Sequence, residues 1–435
     1  MSRESPSSVS PLALDEVSML RTLLSSLALL ALLANAASAS PLCPAQADGV
    51  RRCPGVDLRG QRLSGADFSG VVMPGADLRG AMLAGANFDE AVLTNARFDD
   101  ARLAASFRGA DLSRANLANA DLVGARLAQA RLDGATLRGA AAADADLRSS
   151  TLTGTDLRGV DLSGATLRGT RLVLAIVDSA TTLAGADLRS ADLRGFGHSG
   201  MNLAAAWLAG ADLTGANLAD ADLHGADLRA CVLTDADLTG ADLHGADLTG
   251  AGGQGVDLSR TNLEGAVLSG VDLQQGDLRR ANLRGTTLAG VDLRSANLAA
   301  ADLSGVRFEG VRLFGANLTG AVLRGADAQG VDFTTTQLAG TDFTRARVNQ
   351  ALFSGVDFWD ARERVSARFA GAEVTGAQFD STNLRRADLR GLTGDGACFR
   401  HSDMSYSNLS GARLFGTDLV GAIFTGASRR RAIIE

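Results

Sequence analysis

The sequence predicts an all-β solenoid, a single long coiled rod, and three observations carry that expectation. The first is a period of five: Leu or Phe recurs at every fifth position in four runs, 58 to 103, 107 to 177, 183 to 358 and 369 to 424. The second is a small residue two places before each centre, with only Gln61, Phe196, Met201 and Leu392 departing from Ala, Val, Thr, Ser, Gly or Cys. The third is composition: 435 residues contain 51 Gly, one Tyr and two Trp, and the 42 basic side chains are all Arg. Ordinary domains of this total length would carry aromatic-rich cores, whereas Ala and Leu spread evenly point to one repeated element.

The four runs hold 10, 15, 36 and 12 units, and the centre is Leu, Phe, Met or Val in 68 of the 73. Asp or Asn usually precedes the centre, and Gly or Ala most often stands two places after it. The unit is A-(D/N)-L-x-G, plain in ADLTGANLADADLHGADLRA from Ala211 to Ala230. Helices and strands have side-chain periods of 3.6 and 2.0, so neither places successive Leu side chains on one side at this spacing. A turn at every unit does, with Gly tolerating the positive φ of the corner. The centre and the small residue before it then point inward, and the Asp or Asn, the residue after the centre and the Gly lie outside. If four such units close one coil, the 73 units make about 18 coils, stacked at strand spacing into a rod roughly 85 to 90 Å long.

These tandem units closely resemble the pentapeptide-repeat family, whose consensus is A-(D/N)-L-x-x. The resemblance covers Val56 to about Thr425. It implies a right-handed quadrilateral parallel β-helix. The best-understood members of that family are cytoplasmic DNA mimics that bind topoisomerases. This chain departs from them in its repeat length, its interleaved Arg and its leader.

Four segments follow. Residues 1–39 read as an N-terminal extension and signal peptide: Arg21, an apolar run from Leu23 to Ala34, and Ala37-Ser38-Ala39, with cleavage expected after Ala39. The apolar run is too short to span a bilayer, so no stable membrane insertion is expected after cleavage. Residues 40–55 read as an N-terminal cap, 56–427 as the β-helix, and 428–435 as a tail whose Ile433 and Ile434 cover the last open edge. The expected location is secreted or periplasmic. In an oxidising compartment Cys43 and Cys53 are candidates for a disulfide within the cap. Cys231 falls at an inward position and Cys398 at an outward one.

A formal charge of −7, from 42 Arg against 49 Asp and Glu, argues against non-specific nucleic-acid binding. Outward Asp and Arg side chains are expected to meet across neighbouring coils, with Asp237, Asp257 and Asp277 stacked and Arg279 beside the last. The chain has four His and no nucleophile elbow, Walker loop, dinucleotide fingerprint or CxxC pair, so no enzyme and no cofactor is expected. His224 and His244 lie 20 residues apart in identical ADLHG units. Four units per coil stack them on one face beside Asp222 and Asp242, a patch with ligand chemistry for a divalent transition metal.

Irregularities mark places where a binding surface breaks the monotony. Phe196, His198 and Met201 put large or polar groups at inward positions, which implies a bulged coil. WDARERVSAR from Trp359 adds one residue to the register, and Trp359, Arg362, Arg364 and Arg368 are interface candidates as an exposed aromatic among Arg. The slips near Ala104 and Thr181 read as bulges. The leading expectation is a non-enzymatic exported rod acting as a scaffold for protein or cell-envelope partners. The alternatives are a DNA-mimic regulator of topoisomerase, which requires a cytoplasmic location, and a metal- or ligand-binding rod.

Overall fold

The computed structural model describes Cys43 and residues 45–435, so the leader expected over 1–39 lies outside the described residues. Among the described residues there is no helix. Parallel bridges join each outward residue before a centre to the one 20 positions on, as in Asp222↔Asp242, Asp242↔Asn262 and Asn262↔Asn282. Four five-residue units therefore make one coil, and each coil rests on the next.

The unit Val256–Arg260 shows why the repeat folds this way. Val256 N–H donates to the Gly253 carbonyl across the corner, Asp257 N–H to Ala236 on the preceding coil, and Leu258 and Arg260 N–H to Asp277 and Arg279 on the following one. One donor remains, the Ser259 N–H, and the Asp257 carboxylate accepts it at 2.8 Å. All five backbone donors are thus used, which buried backbone requires. The Asp or Asn before the centre is consequently structural, because its side chain satisfies the N–H that neither ladder nor turn reaches. The corner has positive φ at its second residue, as in a type II turn: 61° at Gly60 and, at a cost that Asn and Asp bear best, 54° at Asp235.

The centres fill the bore. Leu238, Leu258 and Leu278 are fully buried, as are the small residues two places before each centre over most of the rod. Where Phe replaces Leu the rings stack from coil to coil: Phe333, Phe353, Phe379 and Phe399 form one column with centroids 4.9, 4.7 and 4.8 Å apart. Thr and Ser at small-residue positions keep their hydroxyls satisfied inside the wall, as Thr261 Oγ1 does by donating to the Leu258 carbonyl at 2.7 Å.

Four local readings change, and the bulge near Thr181 stands, Asp161↔Thr182 spanning 21 residues. The slip near Ala104 is a four-residue unit and no bulge, since the bridge Asn87↔Ser106 spans 19 residues. Near Thr181 the corner has six residues, and the Asp178 carboxylate organises it by accepting from Gly159, Ala180 and Thr181 N–H. The stretch after Phe358 adds six residues where one was expected, because Asp342↔Arg368 and Asp357↔Asn383 each span 26. The extra residues form a hairpin of β1 (Trp359–Asp360) and β2 (Val365–Ser366), paired antiparallel. At the N-terminus the ladder starts one unit early, with Arg52↔Val72, so Cys53 is itself a half-buried centre.

The tail does not lie over the last coil. Strands β3 (Thr393–Asp395), β4 (Arg413–Phe415) and β5 (Ile433–Ile434) form a parallel sheet in that order. Asn408↔Ser428 and Leu414↔Ile434 keep the 20-residue register, so 428–435 is a further rung, with Arg429 at a centre. Leu419, Phe424 and Ile434 remain only partly buried, because nothing among the described residues lies beyond them.

Candidate interaction surface

With the core consumed by packing, every side chain available for recognition stands on an outer face. The dominant pattern there is the triplet Asp-Leu-Arg. In Asp57-Leu58-Arg59 the guanidinium grips its own unit's carboxylate with both arms, Nε to Oδ1 at 2.9 Å and Nη2 to Oδ2 at 2.6 Å. The same fork forms at Asp146–Arg148, Asp187–Arg189, Asp227–Arg229, Asp292–Arg294 and Asp388–Arg390. Hydrogen bonds from Arg59 hold the Asp57 carboxyl down at about 2. Arg and Asp therefore meet within a repeat, since residues one before and one after a centre share a face, and as often across neighbouring coils, as the sequence predicts. Contacts across coils run from Arg400 to Asp418 at 2.6 Å and Arg324 to Asp342 at 2.8 Å to the looser Arg59 to Asp77 at 3.8 Å. Asp237, Asp257 and Asp277 do stack in register, and Arg279 pairs with Asp277 at 2.5 Å.

His224 and His244 stand on adjacent coils, with Asp222 bridged to Asp242. Each imidazole belongs to a separate unit. His224 Nδ1 lies 2.6 Å from Asp222 Oδ1, and that hydrogen bond raises the imidazole pKa above its ordinary value. Asp242 is occupied by His244 N–H and Asn262 Nδ2. Among the described residues no group of three or more His, Cys, Asp or Glu side chains converges to hold a metal ion.

Of the hairpin candidates, Arg362 and Arg364 are exposed, whereas Trp359 is half-buried with the Arg386 guanidinium 5.3 Å from its ring centroid. Trp359 is thus laid against the wall instead of standing free. Arg368 returns to the ladder and reaches Asp342 at 3.6 Å. Sequence reading passed over Trp207, which is 51% exposed in an outward position and stacked with Arg189 at 4.9 Å. The available signal was Trp where Asp or Asn normally stands.

Phe196 and Met201 are buried, but His198, at the centre position, is exposed, with Nδ1 2.8 Å from the Ser199 carbonyl oxygen. Phe196 fills the bore in its place. The chain passes Asn217 at Gly197 (φ 115°), where a Cβ would overlap the Asn217 carbonyl oxygen. Cys43 and Cys53 are disulfide-bonded, Cα atoms 5.5 Å apart. Cys231 is buried, its thiol pushed up to about 12 by burial, and Cys398 is half-buried on the wall.

Concavities interrupt the faces, and two of them are lined by several Arg. One, of about 440 Å³, lies among Arg108, Arg126, Arg148 and Asp146. The other, of about 640 Å³, lies beside the hairpin among Arg324, Arg345, Arg368, Arg390, Asp342 and Asp388.

A ladder of twenty-residue coils, an apolar bore and polar faces define a β-helical repeat protein. The description "Pentapeptide repeats" matches eleven stretches between residues 53 and 428, and the chain belongs to that family. No curated protein matches it by sequence. Among solved structures, it is similar to HetL, a pentapeptide-repeat protein involved in heterocyst differentiation regulation in the cyanobacterium Nostoc sp. strain PCC 7120. That match has 27% identity over 64% of this chain and 93% of HetL, with a TM-score of 0.22. A plasmid-mediated fluoroquinolone resistance protein, QnrB1, matches at 20% identity over 45% of this chain and 88% of its own, with a TM-score of 0.26. A pentapeptide-repeat protein of the Arabidopsis thaliana thylakoid lumen matches at 32% identity over 27% of this chain and 67% of its own, with a TM-score of 0.15.

Proposed function

We propose that this protein is an exported, non-enzymatic, rigid rod that holds protein or cell-envelope partners along its outer faces. The observation carrying the scaffold reading is the near-continuous 20-residue ladder from Arg52 to Ile434, which fixes the spacing of outward side chains over the whole length. We read the coil as right-handed and four-sided, four turned units making one rise. Export is supported by the leader in the sequence and by the Cys43–Cys53 disulfide, a bond that persists in oxidising compartments. The Asp-Leu-Arg forks count against the DNA-mimic reading, because a mimic needs uncompensated carboxylates and here Arg neutralises many of them within their own repeats.

Expression of the full chain in a Gram-negative host, with fractionation and intact mass spectrometry, tests the reading. The expected product begins at Ser40, lies outside the cytoplasm and is two hydrogen atoms lighter than its reduced form. A cytoplasmic protein retaining Met1 or Met19 with free thiols overturns export and leaves the topoisomerase reading in its place.

A further inference from the structure

The concavity beside the hairpin, like the one at Arg108, carries an excess of Arg over carboxylate, and it alone of the two is built over a buried carboxylate. Four Arg face two carboxylates there, in a chain whose net charge is −7. Both carboxylates are already engaged. Asp342 is only 5% exposed; its Oδ1 accepts Thr344 N–H at 3.0 Å and its Oδ2 accepts Arg324 Nε at 2.8 Å, with Arg368 Nη1 at 3.6 Å. The Arg390 fork takes Asp388 through both oxygens, at 2.8 and 2.7 Å. Arg324 and Arg368 nevertheless keep more than half of their side-chain surface exposed, 59% and 60%. Arg345 has no ion-pair partner among the described residues and runs over Gly371 of the next coil.

The site is also built by the one large insertion in the rod. Val365 of β2 packs against Gly340, two residues ahead of Asp342, and Arg368 enters the concavity where the hairpin rejoins the ladder. A buried carboxylate thus holds two guanidiniums from below, a third is held by its own repeat, and a fourth is unpaired. We infer that this concavity is a binding site for a phosphate monoester. Such a group carries about −1.5 to −2 at pH 7 and three strong acceptor oxygens, which matches two unbalanced positive charges and the fork geometry of Arg. The volume of about 640 Å³ leaves room for a body attached to the phosphate. The Arg108 concavity has no comparably buried carboxylate beneath it and serves as the control. The inference holds whether or not the chain is exported.

Calorimetric titration of the full chain with inorganic phosphate, glucose 6-phosphate and acetate, at low salt, tests it. Saturable one-site binding of the phosphates is expected, with acetate at least about tenfold weaker. Arg345→Gln should weaken phosphate binding about tenfold with an unchanged thermal midpoint, since Arg345 supports no carboxylate, and Arg126→Gln should leave it intact. Tighter binding of glucose 6-phosphate than of inorganic phosphate supports the monoester, and equal binding overturns it in favour of free phosphate. Absence of saturable binding, acetate binding as tightly as phosphate, or equal losses in the two variants overturns the inference, the last because it makes the attraction diffuse.

Discussion

Phe353 is the position where the core's contribution can be read most directly. Its ring lies between Phe333 and Phe379, stacked at centroid distances of 4.9 and 4.7 Å, and meets the edges of Phe343 and Phe369 at 5.8 and 6.0 Å. The side chain is fully buried. Replacing a buried Phe by Ala costs about 3–5 kcal/mol in transfer and cavity terms. Each lost aromatic pair adds about 0.5–1.5 kcal/mol without strict additivity. Phe353→Ala is therefore expected to cost about 5 kcal/mol, near the top of the range. Phe353→Leu refills most of the volume but loses the stacking, at about 1–2 kcal/mol. Equilibrium urea unfolding measures both. Hydrogen exchange should accompany it, because a solenoid whose coils touch only their neighbours can open locally. A cost below about 1 kcal/mol for Phe353→Ala, or equal costs for the Ala and Leu variants, would refute the reasoning that stacked rings fasten these coils together.

Further outcomes follow from the wall. Asp257→Ala strips the acceptor from the Ser259 N–H and should cost about 1 kcal/mol in urea unfolding, while Asp257→Asn, which keeps that oxygen, should be nearly neutral; equal losses would mean that the charge matters and the turn does not. Arg hydrogen bonds lower the Asp57, Asp77, Asp187, Asp292 and Asp388 carboxyls. Carboxyls lowered in the folded state stabilise it above their unfolded value near 3.9, and that contribution disappears as pH falls through the folded values. The thermal midpoint should hold from pH 7 to 5 and decline between about pH 4 and 2, modestly because exposed pairs contribute about 0–1 kcal/mol each; a midpoint constant down to pH 2 contradicts this. His224 should titrate above the ordinary histidine value by NMR, and Asp222→Asn should abolish the shift; an unshifted His224 in the parent protein removes the pairing.

The forks bear on how the rod meets its surroundings. A carboxylate gripped at both oxygens by Arg229 presents neither an acidic nor a basic face, so adjacent coils differ less in potential than their composition suggests. Departures from that balance, such as the concavity at Asp342 and the exposed Trp207, are accordingly where specific recognition has a physical basis.

The five-residue period, repeated at Leu238, Leu258 and Leu278, was enough by itself to assign inward and outward positions, because each unit folds locally in the same way; the twenty-residue coil and the stacking of Asp237 on Asp257 came from the family resemblance and are seen in the ladder. The structural duty of that Asp was not visible in the pattern. It appears only when the ladder has consumed every other backbone donor and Ser259 N–H remains. The hairpin was legible in part: 11 residues from Phe358 to Phe369 read as two units and one extra, yet Glu363 and Arg364 at the would-be centre cannot fill an apolar bore. The chain instead leaves the coil, pairs Trp359 with Ser366, and resumes the register 26 residues on. The tail differs for the same reason in reverse, since Ile434 restores an apolar centre after Arg429 and the ladder extends to meet it. Period determines which way a side chain points, but which coil it meets is set by backbone pairing between segments distant in sequence, and only the folded chain contains that information.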